Sequence, residues 1–278
     1  MKNYFKTFLL LATLSFILIF IGGIFGGQQG VELAFIIALA MNVGTYFFSD
    51  KLALSASHAQ PIREQAAPEL YQAVRELADQ FKIPMPRIYI TPSMQANAFA
   101  TGRNPKHASI AVTQGLLNLL PIYEIKAVLA HELAHVKNRD ILITTIAAVI
   151  ASSIAFLANF TAYGNMMGNN KRNQNGVLEI LAIILLPIAA TLLQLSISRQ
   201  REFAADYIGA KTLGTGKPLA EALQAIEQSI NTYPNSKANP AFSSLYIQNP
   251  LGGRNNPLKK LFSTHPPTDE RIRRLLKI

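Results

Sequence analysis

The chain has 278 residues, 50% hydrophobic and only 15% charged, with a formal net charge of +10. Soluble domains carry about 25% charged residues and disordered chains lack this hydrophobicity, so neither class fits. With no cysteine, a disulfide scaffold is excluded as well.

The missing charge is concentrated in four blocks. The first runs from Thr7 to Val31 and contains FLLLATLSFILIFIGGIF. A spanning helix needs about 20 mostly apolar residues, with a range of roughly 17–25. Lys2 and Lys6 precede this block as they would in a signal peptide. It lacks a clear A-x-A site, however, and leads across GGQQG into a second block, Leu33–Ser49, near the lower length limit. Residues 1–49 therefore read as an N-terminal transmembrane hairpin. Residues 50–140 form a polar section. A third block, Ile141–Asn170, and a fourth, Ile180–Ser198, read as a second hairpin over 141–198, and residues 199–278 close the chain.

The two polar sections hold 18 charged residues in 91 and 18 in 80, much like an ordinary enzyme. They share a side with the N-terminus and carry 24 of the 26 Lys and Arg residues; only Lys171 and Arg172 lie opposite. The positive-inside rule puts that side in the cytoplasm. The basic charge then reads as a lipid-surface signal. No nucleic-acid motif accompanies it, and the C-terminal run RIRRLLKI reads as a solvated or lipid-facing helix side. The spans contain no ionisable residue, which disfavours a transporter.

Within the first polar section, RIYIT and ASIAVT alternate as strands do, on either side of QANAFATG. Next comes PIYEIKAVLAHELAHVKNRD. Pro121 suits a first helical position, and apolar residues recur at helical spacing. His131 and His135, at i and i+4, share one helix face and can both reach one Zn²⁺. Glu132 points elsewhere and can serve as general base toward water. With five His and eleven Glu in the chain, H-E-x-x-H arises by chance in roughly one such sequence in 300. A catalytic site of this kind needs a third ligand and an open fourth position. No third histidine follows closely, so a carboxylate is required. Glu202 and Asp206, in SRQREFAADYIGAK, are the candidates on the correct side. One can ligate, and the other can orient a ligand imidazole. His58 and His107 lack metal-like spacing and read as surface residues.

HELAHVKNRD, two hydrophobic blocks and then REFAAD resemble the HtpX family of membrane-bound zinc metalloproteases, related to the CAAX prenyl endoprotease. The likeness covers nearly the whole chain, including H-E-x-x-H-x-x-N-x-D (His131, Glu132, His135, Asn138, Asp140) and E-x-x-x-D (Glu202, Asp206). It implies that Glu202 is the third zinc ligand and Asp206 a partner of a ligand histidine, with Asn138 and Asp140 in supporting positions. It also implies that Asn97, Ala98 and Phe99 form an active-site edge strand, to which an extended substrate can add. The stretch STHPPTDERIRRL matches the family in His265, a donor to the oxyanion, and Arg271, which organises the cleft.

The expected fold is a predominantly α-helical integral membrane protein, with about four transmembrane helices and a cytoplasmic α+β zincin-like domain carrying a small sheet. The expected activity is a zinc endopeptidase with one Zn²⁺ per chain. It would act in stress and quality control on misfolded membrane polypeptides, at the cytoplasmic face of a bacterial inner membrane. The lipid bilayer is the other partner. The alternatives are a CAAX-type prenyl-protein endopeptidase and a non-proteolytic zinc-binding scaffold. The Asn/Pro-rich stretch from Asn231 to Pro257 reads as a lid or a self-cleavage site.

Overall fold

A computed structural model of the protein describes residues 2–151, 198–232, 245–249 and 266–278. Most of the third apolar block, the fourth apart from Ser198, and His265 lie outside the described residues.

Helix α1 spans Lys2–Ala56 and is broken at Gly27, whose φ of 54° and ψ of −141° no helix allows. Its two arms fold back on each other. Asn42 Nδ2 donates to Ser15 Oγ at 2.9 Å. A Cβ on Gly30 would stand 2.0 Å from the Gly22 carbonyl oxygen, so only glycine permits this approach. Both arms, Thr7–Ile24 and Gly26–Ala56, are long and apolar enough to cross a membrane, and their large side chains, such as Phe16, Phe20 and Phe35, are exposed. The second arm has 31 residues, about 46 Å at 1.5 Å each, which exceeds the roughly 30 Å hydrocarbon core. The helix thus continues past Ser49, where sequence placed a boundary. Asp50, on its extension, pairs with Arg87 at 3.0 Å.

The polar section builds a four-stranded sheet from β1 (Gln60–Pro61), β2 (Arg87–Thr91), β3 (Ala98–Gly102) and β4 (Ala108–Thr113). The order is β1-β2-β4-β3. β2 lies parallel to β4, with Ile88 opposite Ile110. β3 lies antiparallel to β4, with Ala100 opposite Ile110. The two strands that flank QANAFATG in sequence therefore pair with each other, and the NAF strand takes the edge. Both faces are covered, following the two-residue alternation of side chains. Ile88, Ile110, Val112, Ala98 and Ala100 join the main core. Phe99 and Ala111 face a smaller core with Ala53 and Leu54 of α1 and Ala147 and Ala148.

Helices α2 (Pro68–Phe81), α3 (Gln114–Leu119), α4 (Ile122–Lys137), α6 (Arg199–Leu213), α7 (Lys217–Thr232) and α8 (Thr268–Leu275) complete the described architecture, with the apolar helix α5 (Ile141–Ala151) following α4. α4 is buried on nearly all sides, and this sets where the chemistry sits.

Candidate active site

α4 ends in a way that shapes the site. Arg139 adopts a left-handed φ of 59°, and the Asp140 N–H donates back to the His135 carbonyl at 2.9 Å. The chain therefore reverses directly after the helix and brings the Asp140 carboxylate to 3.2 Å from His135 Nδ1. Asn138 is the C-cap residue of α4. α6 packs on α4 through Gly209, where a Cβ would stand 3.1 Å from the His131 backbone nitrogen. That close approach carries Glu202 and Asp206 to the histidines.

The nitrogens His131 Nε2 and His135 Nε2 are 3.2 Å apart. Glu202 Oε2 lies 3.7 Å from the first and Oε1 3.4 Å from the second. Two ligands about 2.05 Å from a tetrahedral ion stand about 3.3 Å apart, so these three side chains are spaced as ligands of one small divalent cation. They form the one group of three or more potential ligands among the described residues.

Each histidine is held from behind. His131 Nδ1 lies 2.9 Å from Asp206 Oδ1, which Arg271 grips in turn with Nη2 at 2.7 Å, while its Nε bonds Oδ2 at 2.9 Å. His135 Nδ1 meets Asp140, whose other oxygen lies 3.5 Å from Arg201 Nη1. In both cases a carboxylate against Nδ1 fixes the Nδ1–H tautomer and turns the Nε2 lone pair inward.

Electrostatics separate the members. Burial lowers the His131 pKa to about 4, against the pull of Asp206, so this imidazole is neutral. Burial raises Glu132 to about 8, although His135 and the Ala100 backbone N–H draw it down. Burial would also lower His135, but Glu202, the Asp140 hydrogen bond and Glu132 push it up to about 9. Burial would raise Asp206, yet Arg271 and the bond to His131 hold it well below the usual carboxylate range.

The cleft is lined by Ala100, His131, Glu132, His135, Glu202 and, from another part of the chain, Tyr246. Of β3 only Ala100 lines it; Asn97, which precedes the strand, instead donates from Nδ2 to the Gln248 carbonyl at 2.8 Å. Sequence reasoning missed Arg201, and it singled out Leu245–Gln248 only as part of the longer stretch Asn231–Pro257, without placing it against the cleft. The signal for the latter was the apolar triplet LYI inside an otherwise polar stretch. The run RIRRLLKI is expected on a solvated or lipid-facing side, with Arg271 singled out for the cleft by family likeness; Arg271 is 1% exposed, while Arg273 and Arg274 make exposed i,i+4 pairs.

Residues 64–278 match Peptidase family M48. The chain is 48% identical over 281 residues to a Protease HtpX homolog of Syntrophobacter fumaroxidans, covering 99% of each chain. It is 49% identical over 276 residues to that of Pyrococcus furiosus, covering 98% of this chain and 95% of the relative. Among solved structures it resembles the crystal structure of S. mikatae Ste24p, with a TM-score of 0.53 and 19% identity. That match covers 99% of this chain and 65% of the other.

Proposed function

The chain belongs to peptidase family M48 and is a metallopeptidase, and we propose that it is a zinc-dependent endopeptidase of the cytoplasmic membrane, cleaving misfolded or damaged membrane polypeptides. The observation that carries the zinc reading is the triangle of His131, His135 and Glu202, with edges of 3.2–3.7 Å. Two nitrogens, one carboxylate and an open side toward the cleft form the donor set of a catalytic zinc site. When bound, zinc supplies Lewis acidity that polarises the scissile carbonyl and acidifies water.

The remaining steps belong to the chain's own residues. Glu132 lies in the same cleft and takes the proton of the attacking water, then delivers it to the leaving amine. A divalent cation beside it favours the ionised carboxylate, which the reaction requires. The Ala100 N–H keeps Glu132 in place. Asp206 and Asp140 hold the two imidazoles in the ligating tautomer, while Asn97, Ala98 and Phe99 receive the substrate backbone. His265 is assigned to the oxyanion by family resemblance alone.

The N-terminal hairpin anchors the site to the bilayer. Asp140 is followed directly by the apolar helix α5, so the metal site lies close to the apolar part of the molecule, within reach of membrane-embedded substrates. Two further blocks, within 141–198, complete four spans in this reading, with both termini in the cytoplasm.

The test is to purify the protein in detergent with a chelator, restore zinc, and follow cleavage of an unfolded membrane protein beside a prenylated CAAX peptide. Zinc-dependent loss of the unfolded protein supports the proposal. Exclusive cleavage of the prenylated peptide favours the CAAX reading, and metal binding without cleavage of either favours a scaffold.

A further inference from the structure

At Ala98 the outward polar groups of the β3 edge are already in use. In an antiparallel pair, successive residues turn their backbone groups alternately toward and away from the partner strand. Asn97 bonds toward β4, its carbonyl accepting from the Thr113 N–H at 3.0 Å, so Ala98 and Ala100 face outward. The Ala98 carbonyl accepts from the Ile247 N–H at 2.9 Å. Gln248 lies against the Asn97 side chain, which donates to its carbonyl at 2.8 Å and accepts from its N–H at 3.4 Å. Arg271 Nη1 donates to the Ile247 carbonyl at 2.9 Å, using the one guanidinium nitrogen not bonded to Asp206.

Two properties make this segment a stand-in for substrate. Its contacts with Asn97, Ala98 and Arg271 all go through the backbone of Ile247 and Gln248, so any extended polypeptide can make them. Residue numbers also rise along the segment as they fall along β3, the antiparallel sense in which a strand adds to an edge. Side chains add a preference. Ile247 is 1% exposed and joins the main core, while Tyr246 sits edge-on to Phe99 with ring centroids 5.1 Å apart. Leu245, Tyr246 and Ile247 line the same cleft as Glu132 and the three metal-spaced ligands.

We infer that Tyr246–Gln248 is a strap that occupies, in cis, the path of an extended polypeptide substrate. Ile247 fills an apolar slot for a substrate side chain flanking the scissile bond. The resting protein is therefore self-blocked, and a substrate enters by displacing the strap and placing an aliphatic residue in the slot. This deepens the peptidase reading and rests on it for the word substrate, but the competition itself is a binding property.

The experiment measures binding of a fluorescent, end-capped pentapeptide with the sequence of Leu245–Asn249 to the full chain in detergent with zinc. All proteins carry Glu132→Gln, so that nothing is cleaved. The strap and the free peptide compete, so Ile247→Gly is expected to raise peptide affinity at least tenfold. Tyr246→Ala, which loosens the strap from Phe99, is expected to raise it several-fold and serves if Ile247→Gly does not fold. A peptide with aspartate in place of the isoleucine is expected to bind at least tenfold more weakly. Equal or weaker binding by both strap variants overturns the inference and makes the segment a permanent wall of the cleft. Cleavage of unfolded protein by the Glu132 enzyme is scored separately, so a failed peptidase reading and a failed strap are told apart.

Discussion

Asp206 Oδ1 lies 2.9 Å from His131 Nδ1, and Arg271 holds the same carboxylate through two nitrogens. The carboxylate therefore has two tasks, to orient the His131 imidazole and to neutralise a buried guanidinium. Asp206→Asn keeps the shape and removes the charge. Loss of such a supporting group typically costs 10–100-fold in metal affinity, and stranding one member of a buried ion pair costs about 3–5 kcal/mol. Chelator competition should show the first effect and a thermal melt the second. Pairing Asp206→Leu with Arg271→Met should restore the melting temperature and leave metal affinity low. If affinity recovers as well, the carboxylate does not act through His131.

Glu132→Gln should retain zinc, because Glu132 is outside the ligand triangle, and should lose cleavage by at least 10²–10⁴-fold, the usual worth of a general base. Glu202→Ala should lose the zinc itself. The pair of measurements is zinc per chain by elemental analysis and turnover on an unfolded substrate. Wild-type zinc content in Glu202→Ala would place the third ligand elsewhere.

The parts legible in sequence were those with local periodicity. HELAH fixes two imidazoles on one face because helical spacing does so whatever the surroundings. The N-terminal hairpin followed from two charge-free blocks and a glycine-rich turn. The second arm's extension to Ala56 was not legible, because LALSA after Asp50 carries no stop signal. Arg271 shows a different limit. It stands in RIRRLLKI beside Arg273 and Arg274, which are exposed, and local composition does not separate it from them; family likeness singles it out, and its partner Asp206 lies 65 positions away. Ile247 likewise meets its partner, Ala98, across the fold. Long-range contacts of this sort leave no trace in local composition.

The pKa shifts set a direction for pH. His135 is raised from 6.5 to about 9 and Glu132 from 4.5 to about 8. Between pH 6.5 and 8 the folded, metal-free protein therefore binds more protons at both groups than the unfolded chain. The stability from these groups, full below the unfolded values, is lost as pH rises, at up to about 1.4 kcal/mol per pH unit for each group. His131, lowered to about 4, acts oppositely and only between pH 4 and 6.5. Zinc must displace the His135 proton, so its apparent affinity should tighten about tenfold per pH unit up to pH 9. Melting curves of chelator-treated protein should fall from pH 6.5 to 8.5 while those of zinc-loaded protein stay level or rise. Calorimetry in two buffers of different ionisation enthalpy should register proton release on zinc addition. A pH-independent zinc affinity would contradict this account.

The crossing of α6 over α4 at Gly209 brings the candidate ligands together. Gly209 faces the His131 backbone, and a Cβ there would lie 3.1 Å from the nitrogen and 3.3 Å from the Ala130 carbonyl carbon. Alanine at this position needs a shift of a few tenths of an ångström and gains about 0.8–1 kcal/mol of helix propensity, so Gly209→Ala should be near neutral in stability. Valine adds two methyl groups against backbone that cannot yield, an overpacking that typically costs 1–3 kcal/mol. The helix can relieve this only by moving α6 away from α4. Glu202 and Asp206, both on α6, move with it, which opens the triangle to His131 and His135. Gly209→Val should therefore keep its circular dichroism and lose zinc affinity together with activity, whereas Gly209→Ala should keep all three. Full zinc affinity in a folded Gly209→Val protein would show that the ligand triangle does not depend on this crossing.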